Sequence, residues 1–417
     1  MFAVLKKTTT VSRCAVLVFA LTSALFVSAC GGGGGGGGSI GGSSVTPGGS
    51  TQSADTSHGT ASCQSGNAVF TTSPLPLANV IGWVPLGAME PPGHTFPTDH
   101  QYLYYANPTS PGNTTLNVVA PSDLRIWMIY QTTGINNEFS IWIQPCAQII
   151  GRLGSITALS SDLAAAAGTI NQNCQASGLS TQCQKELTYD VKAGQVIGTI
   201  DSVTEYALDW WLWDTRAVPI AFIDPAKFTG GPDIGFTEAA IVPASAYYTP
   251  AMTVQIAAKL GSFDGTQLRT VAPVDGTIAV DLPAKASGYW FNPSQAYPPE
   301  TYHAALAPDN ITPNTTEVIA LGVSQTNISN GGGSGVRGNF TPVTSGFINR
   351  AFETVSADGN IYCYNPIIEN TAGQSGLIIL QLLDANTLKI EVQAKTGGSC
   401  VAAAPWAFTA NAVTYKR

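Results

Sequence analysis

Short runs in which apolar and polar residues alternate, separated by glycine, proline, asparagine and aspartate, restrict this chain to a mainly β fold. The clearest are 102–105, 115–119, 125–130, 139–143, 195–200, 206–213 and 218–223, followed by 270–282 and 317–323. Side chains alternate across a strand, so 206–213 would put Trp211 and Trp213 on one face and Trp210 and Leu212 on the other. Two segments read as inserted helices. One covers 155–170, with Ser155 as its cap, alanines at 164–167 and Gly168 near its end. The other has Thr249 as cap and Pro250 in its first turn, and runs to residue 260 before Gly261.

Beyond the glycine-rich stretch 331–338, the runs 376–383, 387–393 and 406–415 predict a small antiparallel β unit, its first two strands joined by the turn Asp384-Ala385-Asn386. Gly333, Gly335 and Gly338 have the spacing of a dinucleotide-binding loop. No strand feeds them and Pro342 follows where a helix should begin, so the stretch reads as a hinge. From residue 63 onward about 355 residues remain, enough for one large or two ordinary domains with real cores. The expected division is a β domain over 63–330 and the appended unit over 339–417.

The start of the chain is different in kind. Lys6, Lys7 and Arg13 precede and flank an apolar run over 14–27 that is too short to span a bilayer comfortably, and Val27-Ser28-Ala29-Cys30 follows. This is the order of a secretory signal. The small residues before Cys30 resemble the lipobox of bacterial lipoproteins, which implies removal of 1–29, acylation of Cys30 and attachment to a membrane through that lipid. Anchoring of this kind adds roughly 0.8 kcal/mol per buried methylene. Glycines at 31–38, then Gly, Ser and Thr as far as residue 62, bury nothing and lose too much backbone entropy on ordering to fold, so 30–62 reads as a tether. Gly31 in place of an aspartate implies outer-membrane delivery where the host has such a membrane.

Loss of Lys6, Lys7 and Arg13, with no acidic residue among 1–29, moves the formal charge from −8 to −11. Nucleic acid is excluded as a partner, as is an anionic membrane surface held by charge. Cys63, Cys146, Cys174, Cys183, Cys363 and Cys400 form an even set with no Cys-x-x-Cys pair, which in an exported chain reads as disulfides with fifteen formal pairings. Cys174 with Cys183 would close a short loop and Cys363 with Cys400 would staple the last segment, leaving Cys63 for Cys146.

Chemistry concentrates in Gly93-His94-Thr95-Phe96-Pro97-Thr98-Asp99-His100, where two histidines flank an aspartate. Downstream come a strand near Val119-Ala120-Pro121, the loop Val191-Lys192-Ala193-Gly194-Gln195-Val196-Ile197-Gly198, and Ala207-Leu208-Asp209. In that order the pieces, over about 80–215, resemble the lysostaphin-type zinc endopeptidases that cleave peptidoglycan cross-bridges. The resemblance implies a barrel-sandwich hybrid β domain with helical insertions. It also implies a zinc held by two nitrogens and a carboxylate, with an open water position. The candidate ligands are His94, Asp99, His100 and Asp209. Here four residues separate His94 from Asp99 where the family has three. Ala207-Leu208-Asp209 replaces the family's His-x-His pair, so the second catalytic histidine has no counterpart.

A hydrolytic site short of a ligand and a base loses most of its rate. The expectation is therefore a non-catalytic, membrane-anchored envelope lipoprotein that binds a glycan, peptide or protein, with no resident cofactor. The competing class is a zinc-dependent peptidoglycan endopeptidase with an altered ligand set. A third is a structural envelope component. Core packing is expected for Trp211 and Trp213; exposure of either ring would make it a platform for stacking on sugars. His58 in the tether and His303 beside Tyr302 are not expected ligands.

Overall fold

The computed structural model describes residues 60–134, 137–177, 179–229, 237–325, 335–365, 367–369, 376–394 and 399–417. Cys30, the expected leader, residues 30–59 of the expected tether and His58 lie outside the described residues, while the end of that segment is described, its Ala61 carbonyl accepting from Ala147 N–H. The chain is mainly β, built as four antiparallel sheets. The largest has eight strands in the order Gly82–Val84, Gln101–Tyr104, Ala207–Asp214, Ile149–Ile156, Glu138–Cys146, Leu124–Thr133, Ser180–Val191 and Gln172–Ser177. A three-stranded sheet consists of Thr115–Val119, Val196–Asp201 and Ala158–Leu159. The five-stranded sheet orders Gly288–Trp290, Ala304–Pro308, Glu317–Leu321, Val336–Phe340 and Ile367–Glu369, and the four-stranded one orders Tyr362–Tyr364, Gly376–Asp384, Thr387–Ala394 and Val413–Lys416.

Period-two alternation explains how these sheets stack. Leu208, Trp210 and Leu212 enter a first core with Val118, Ile197 and Ile200 of the three-stranded sheet. Trp211 and Trp213, on the opposite face, enter a second core with Ala305, Ala307 and Val318 of the five-stranded sheet. The other face of that sheet, through Ala304, Leu306 and Ile319, forms a third core with Ile378, Leu380 and Ile390 of the four-stranded sheet. The result is four β layers with a core in each of the three gaps between them, and a small fourth cluster at Cys363, Leu377, Ile379 and Cys400.

Three disulfides join Cys63 to Cys146, Cys174 to Cys183 and Cys363 to Cys400, which points to an extracytoplasmic setting. Among the described residues no helix is long and apolar enough to cross a membrane.

Several sequence expectations shift. The first helix is Ser161–Ala167 and its cap is Ser160, whose hydroxyl accepts from the Leu163 N–H. Ser155 instead lies next to the end of the strand Ile149–Ile156, at φ 61°. The runs 218–223 and 270–282 form no strand; their apolar residues Phe222 and Ile278 plug the second core from loops. Of the run 406–415 only Val413–Lys416 is a strand. The glycine-rich stretch ends inside the strand Val336–Phe340, paired to Glu317–Leu321, while residues 331–334 lie outside the described residues. The last segment shares the third core with residues from 286 onward and adds a small cluster of its own at Cys363, Leu377, Ile379 and Cys400.

Candidate functional site

The loop between the first two strands of the large sheet carries the His-Asp-His cluster, and local hydrogen bonds fix its course. Glu90 and His94 exchange backbone hydrogen bonds of 2.7 and 3.0 Å, Gly87 N–H donates to the Thr98 carbonyl, and Thr98 N–H donates to Ala88. Phe96 drops into the second core, its ring 5.0 Å from Tyr289 and 5.2 Å from Phe291, and its N–H donates to a Glu300 carboxyl oxygen at 2.9 Å. The chain then enters Gln101–Tyr104, delivering Asp99 and His100 onto the face that carries Trp211.

One carboxylate oxygen organises the centre. Asp99 Oδ1 lies 2.8 Å from His100 Nδ1 and accepts from the Trp211 indole N–H at 3.0 Å. The His100 ring, 2% exposed, lies 3.8 Å from the Trp211 ring, 4.7 Å from Tyr102 and 5.3 Å from His94. Strand register supplies the rest. Asp209 sits opposite Tyr102 on one side and Gly154 on the other, and Arg152 sits opposite both Trp211 and Trp142. Ser155 donates its hydroxyl to Asp209 Oδ2 at 3.1 Å. Gly154 makes this possible, since a Cβ there would meet Trp211 at 3.0 Å and the Asp209 carboxylate at 3.3 Å.

His94, Asp99, His100 and Asp209 are thus gathered on one sheet face, as the spacing suggested, but not as a metal ligand set. Among the described residues no three His, Cys, Asp or Glu side chains converge as a metal ion demands. Asp99 spends one oxygen on His100 and Trp211, and the nearest permanent cation is Arg152, whose charge acts on Asp209, Asp99 and Glu138. These residues do not fit the zinc centre that the sequence allowed. The sugar-platform role of Trp211 and Trp213 also falls away. Trp211 is 9% exposed with the Arg152 guanidinium 4.3 Å above its ring, and Trp213 is 5% exposed and stacked on Trp142 at 5.5 Å. His303 is a satisfied core residue, its Nδ1 accepting from Asn292 N–H and its Nε2 bonded to the Ala296 carbonyl.

Arg152, Trp142, Ser155, Tyr102 and Glu300 belong to the site and carry no local sequence signal. They reach it through strand register, or through a contact made across 204 residues in the case of Glu300. Comparison with protein-family models, curated proteins and solved structures finds no match.

The electrostatics of the site are strained in both directions. The enclosure around Asp99 would raise its pKa, but the His100 hydrogen bond and charge, the His94 charge and the Trp211 N–H hold it below the usual carboxylate range. Asp209 is pushed up by burial, against the pull of His100, Ser155 and Arg152. Beneath the loop, burial pushes Glu238 and Glu300 up to about 8, with the Asp99 charge adding to the rise, while burial holds His94 and His303 down to about 4.

A stability profile follows from linkage. The unfolded chain ionises Glu238 and Glu300 near 4.5 and the folded chain only near 8, so they stabilise the fold at low pH and lose that contribution as pH rises through 8. The two histidines act below 6.5, where the unfolded chain binds protons that the folded chain refuses. Above 6.5 the carboxylates set the slope, joined below 8 by Glu205 and Glu317, each pushed up to about 7 by burial. The thermal midpoint is expected to fall between pH 6.5 and 8.5, and Glu238→Gln with Glu300→Gln should flatten most of that fall. An equal slope in the double variant would refute this.

Proposed function

We propose that this chain is a lipid-anchored protein of the cell envelope which uses the exposed part of this sheet face to bind an envelope component without cutting it. The carrying observation is the arrangement of His94, Asp99, His100 and Asp209. They share one face with Tyr102, Arg152 and Trp211, where Asp99 is bonded to His100 and Trp211 and Asp209 to Ser155, and no three of them converge on a common metal position. Such a surface offers hydrogen-bonding groups and ring faces held rigid by strands, which suits recognition. Among the described residues no three His, Cys, Asp or Glu side chains converge as metal-assisted hydrolysis would need.

The disulfides and the acidic charge agree with an extracytoplasmic setting. The likeness of Cys30 and its flanks to a lipobox, and the tether after it, support a body held near a membrane and its surrounding wall. The division of labour is then anchor, spacer and binding body. Sedimentation with purified peptidoglycan sacculi tests the reading: the chain is carried down, the sacculi stay intact, and Asp99→Ala, which frees both His100 and Trp211, releases it.

A further inference from the structure

The site contains a cation whose hydrogen-bonding capacity is mostly unspent. Arg152 donates one hydrogen bond, from Nη2 to Ser140 Oγ at 2.9 Å, and its Nε is buried with no partner. Its guanidinium lies among rings, 4.3 Å from Trp211, 5.7 Å from Trp142 and 6.0 Å from Tyr130. Three carboxylates act on it through space, those of Asp209, Asp99 and Glu138, but none forms an ion pair with it among the described residues. A guanidinium is a planar fork suited to carboxylate, and a partly buried one left with a single neutral acceptor is costly.

A bare anion would still be repelled, since Asp99, Asp209 and Glu138 outnumber the one arginine. Both demands are met by a ligand that carries the two signs a few ångströms apart. Resting on the binding function proposed above, we propose that this face of the sheet takes the carboxylate end of a peptide that also bears an ammonium group, the carboxylate on Arg152 and the ammonium toward Asp209. Trp142 and Trp211 hold the fork flat, and Tyr102, opposite Asp209, offers a ring to the cation.

The probe is acetyl-Ala-Ala-Lys, titrated calorimetrically into the purified full chain at low ionic strength, beside its C-terminal amide and the norleucine analogue. The free acid is expected to bind. Amidation, or Arg152→Gln, should each weaken it on the order of tenfold, and Arg152→Lys should recover only part, because a point charge cannot make the paired bonds. Norleucine should weaken binding in the wild type but make no difference in Asp209→Asn. The analogue series on unaltered protein decides the matter even where a variant unfolds.

Equal binding of acid and amide, or no binding of the acid at millimolar concentration, overturns the ligand class. If sacculi are still bound by a chain that ignores this peptide, the ligand class alone is wrong. If sacculi are ignored as well, the binding function falls with it.

Discussion

Replacement of Trp210 by alanine is expected to cost about 4 kcal/mol of folding stability, within the range for deletion of a fully buried tryptophan. Trp210 is 0% exposed at the centre of the first core, with Phe70 edge-on at 5.1 Å, Tyr248 at 6.0 Å and Trp83 stacked at 6.5 Å. Those three rings come from separate segments, so the surroundings cannot collapse into the space by moving one element. The loss is a large part of the roughly 5–15 kcal/mol that holds a domain together. Trp210→Phe should cost clearly less, because the indole N–H is buried without a partner and its removal relieves an unpaired donor. Urea midpoints of the two variants check both statements. A phenylalanine variant as weak as the alanine one would show that the N–H is satisfied in solution.

The second large effect is at Arg417. Its side chain is 1% exposed and its guanidinium donates to the carbonyls of Ser287, Leu282, Lys285 and Ala385, with the Asp281 carboxylate 3.9 Å away and the Trp290 ring 4.2 Å below. Ser287, Leu282 and Lys285 lead into the five-stranded sheet, whereas Ala385 belongs to the turn between two strands of the four-stranded one. Arg417 therefore pins two layers together. Arg417→Ala leaves several carbonyls without their donor and the buried Asp281 without its nearby cation, and should cost about 3 kcal/mol. Hydrogen exchange should show the loss concentrated in Val413–Lys416 and its partner Thr387–Ala394. Loss spread evenly over the eight-stranded sheet would contradict the account of Arg417 as a local clamp. Arg417→Lys should recover little, since one ammonium cannot reach four carbonyls set around a planar fork.

The β class was legible from alternation, and Trp210 against Trp211 shows how directly. Neighbouring rings in the chain enter different cores because a strand turns them to opposite faces. The disulfide pairs were legible from spacing, since two close pairs leave only one partner each for Cys63 and Cys146. The His94–His100 cluster announced itself by composition, and it is the loop that dominates the site.

What could not be read depends on register or on distant contacts. Arg152 carries no local signal in the sequence, and becomes central only because its strand pairs Trp142 on one side and Trp211 on the other. Ser155 looked like a helix cap because its hydroxyl precedes an alanine-rich run, yet that hydroxyl serves Asp209 and the next suitable serine, Ser160, caps the helix. The runs 218–223 and 270–282 were apolar for the sake of the second core and have no sheet partner, so their composition mimicked strands. The reading of 331–338 as a hinge fails at its end, where Val336–Phe340 is a strand paired on both sides.

The proposed role of the site is binding without hydrolysis. The most direct test measures bound zinc and soluble fragments together, after the purified chain has been incubated with zinc and peptidoglycan sacculi and the sacculi have been spun down. The expected result is protein in the pellet, no soluble fragments released and zinc well below one per chain, with Asp99→Ala moving the protein to the supernatant. Stoichiometric zinc together with released fragments, both abolished by His94→Ala, would contradict it.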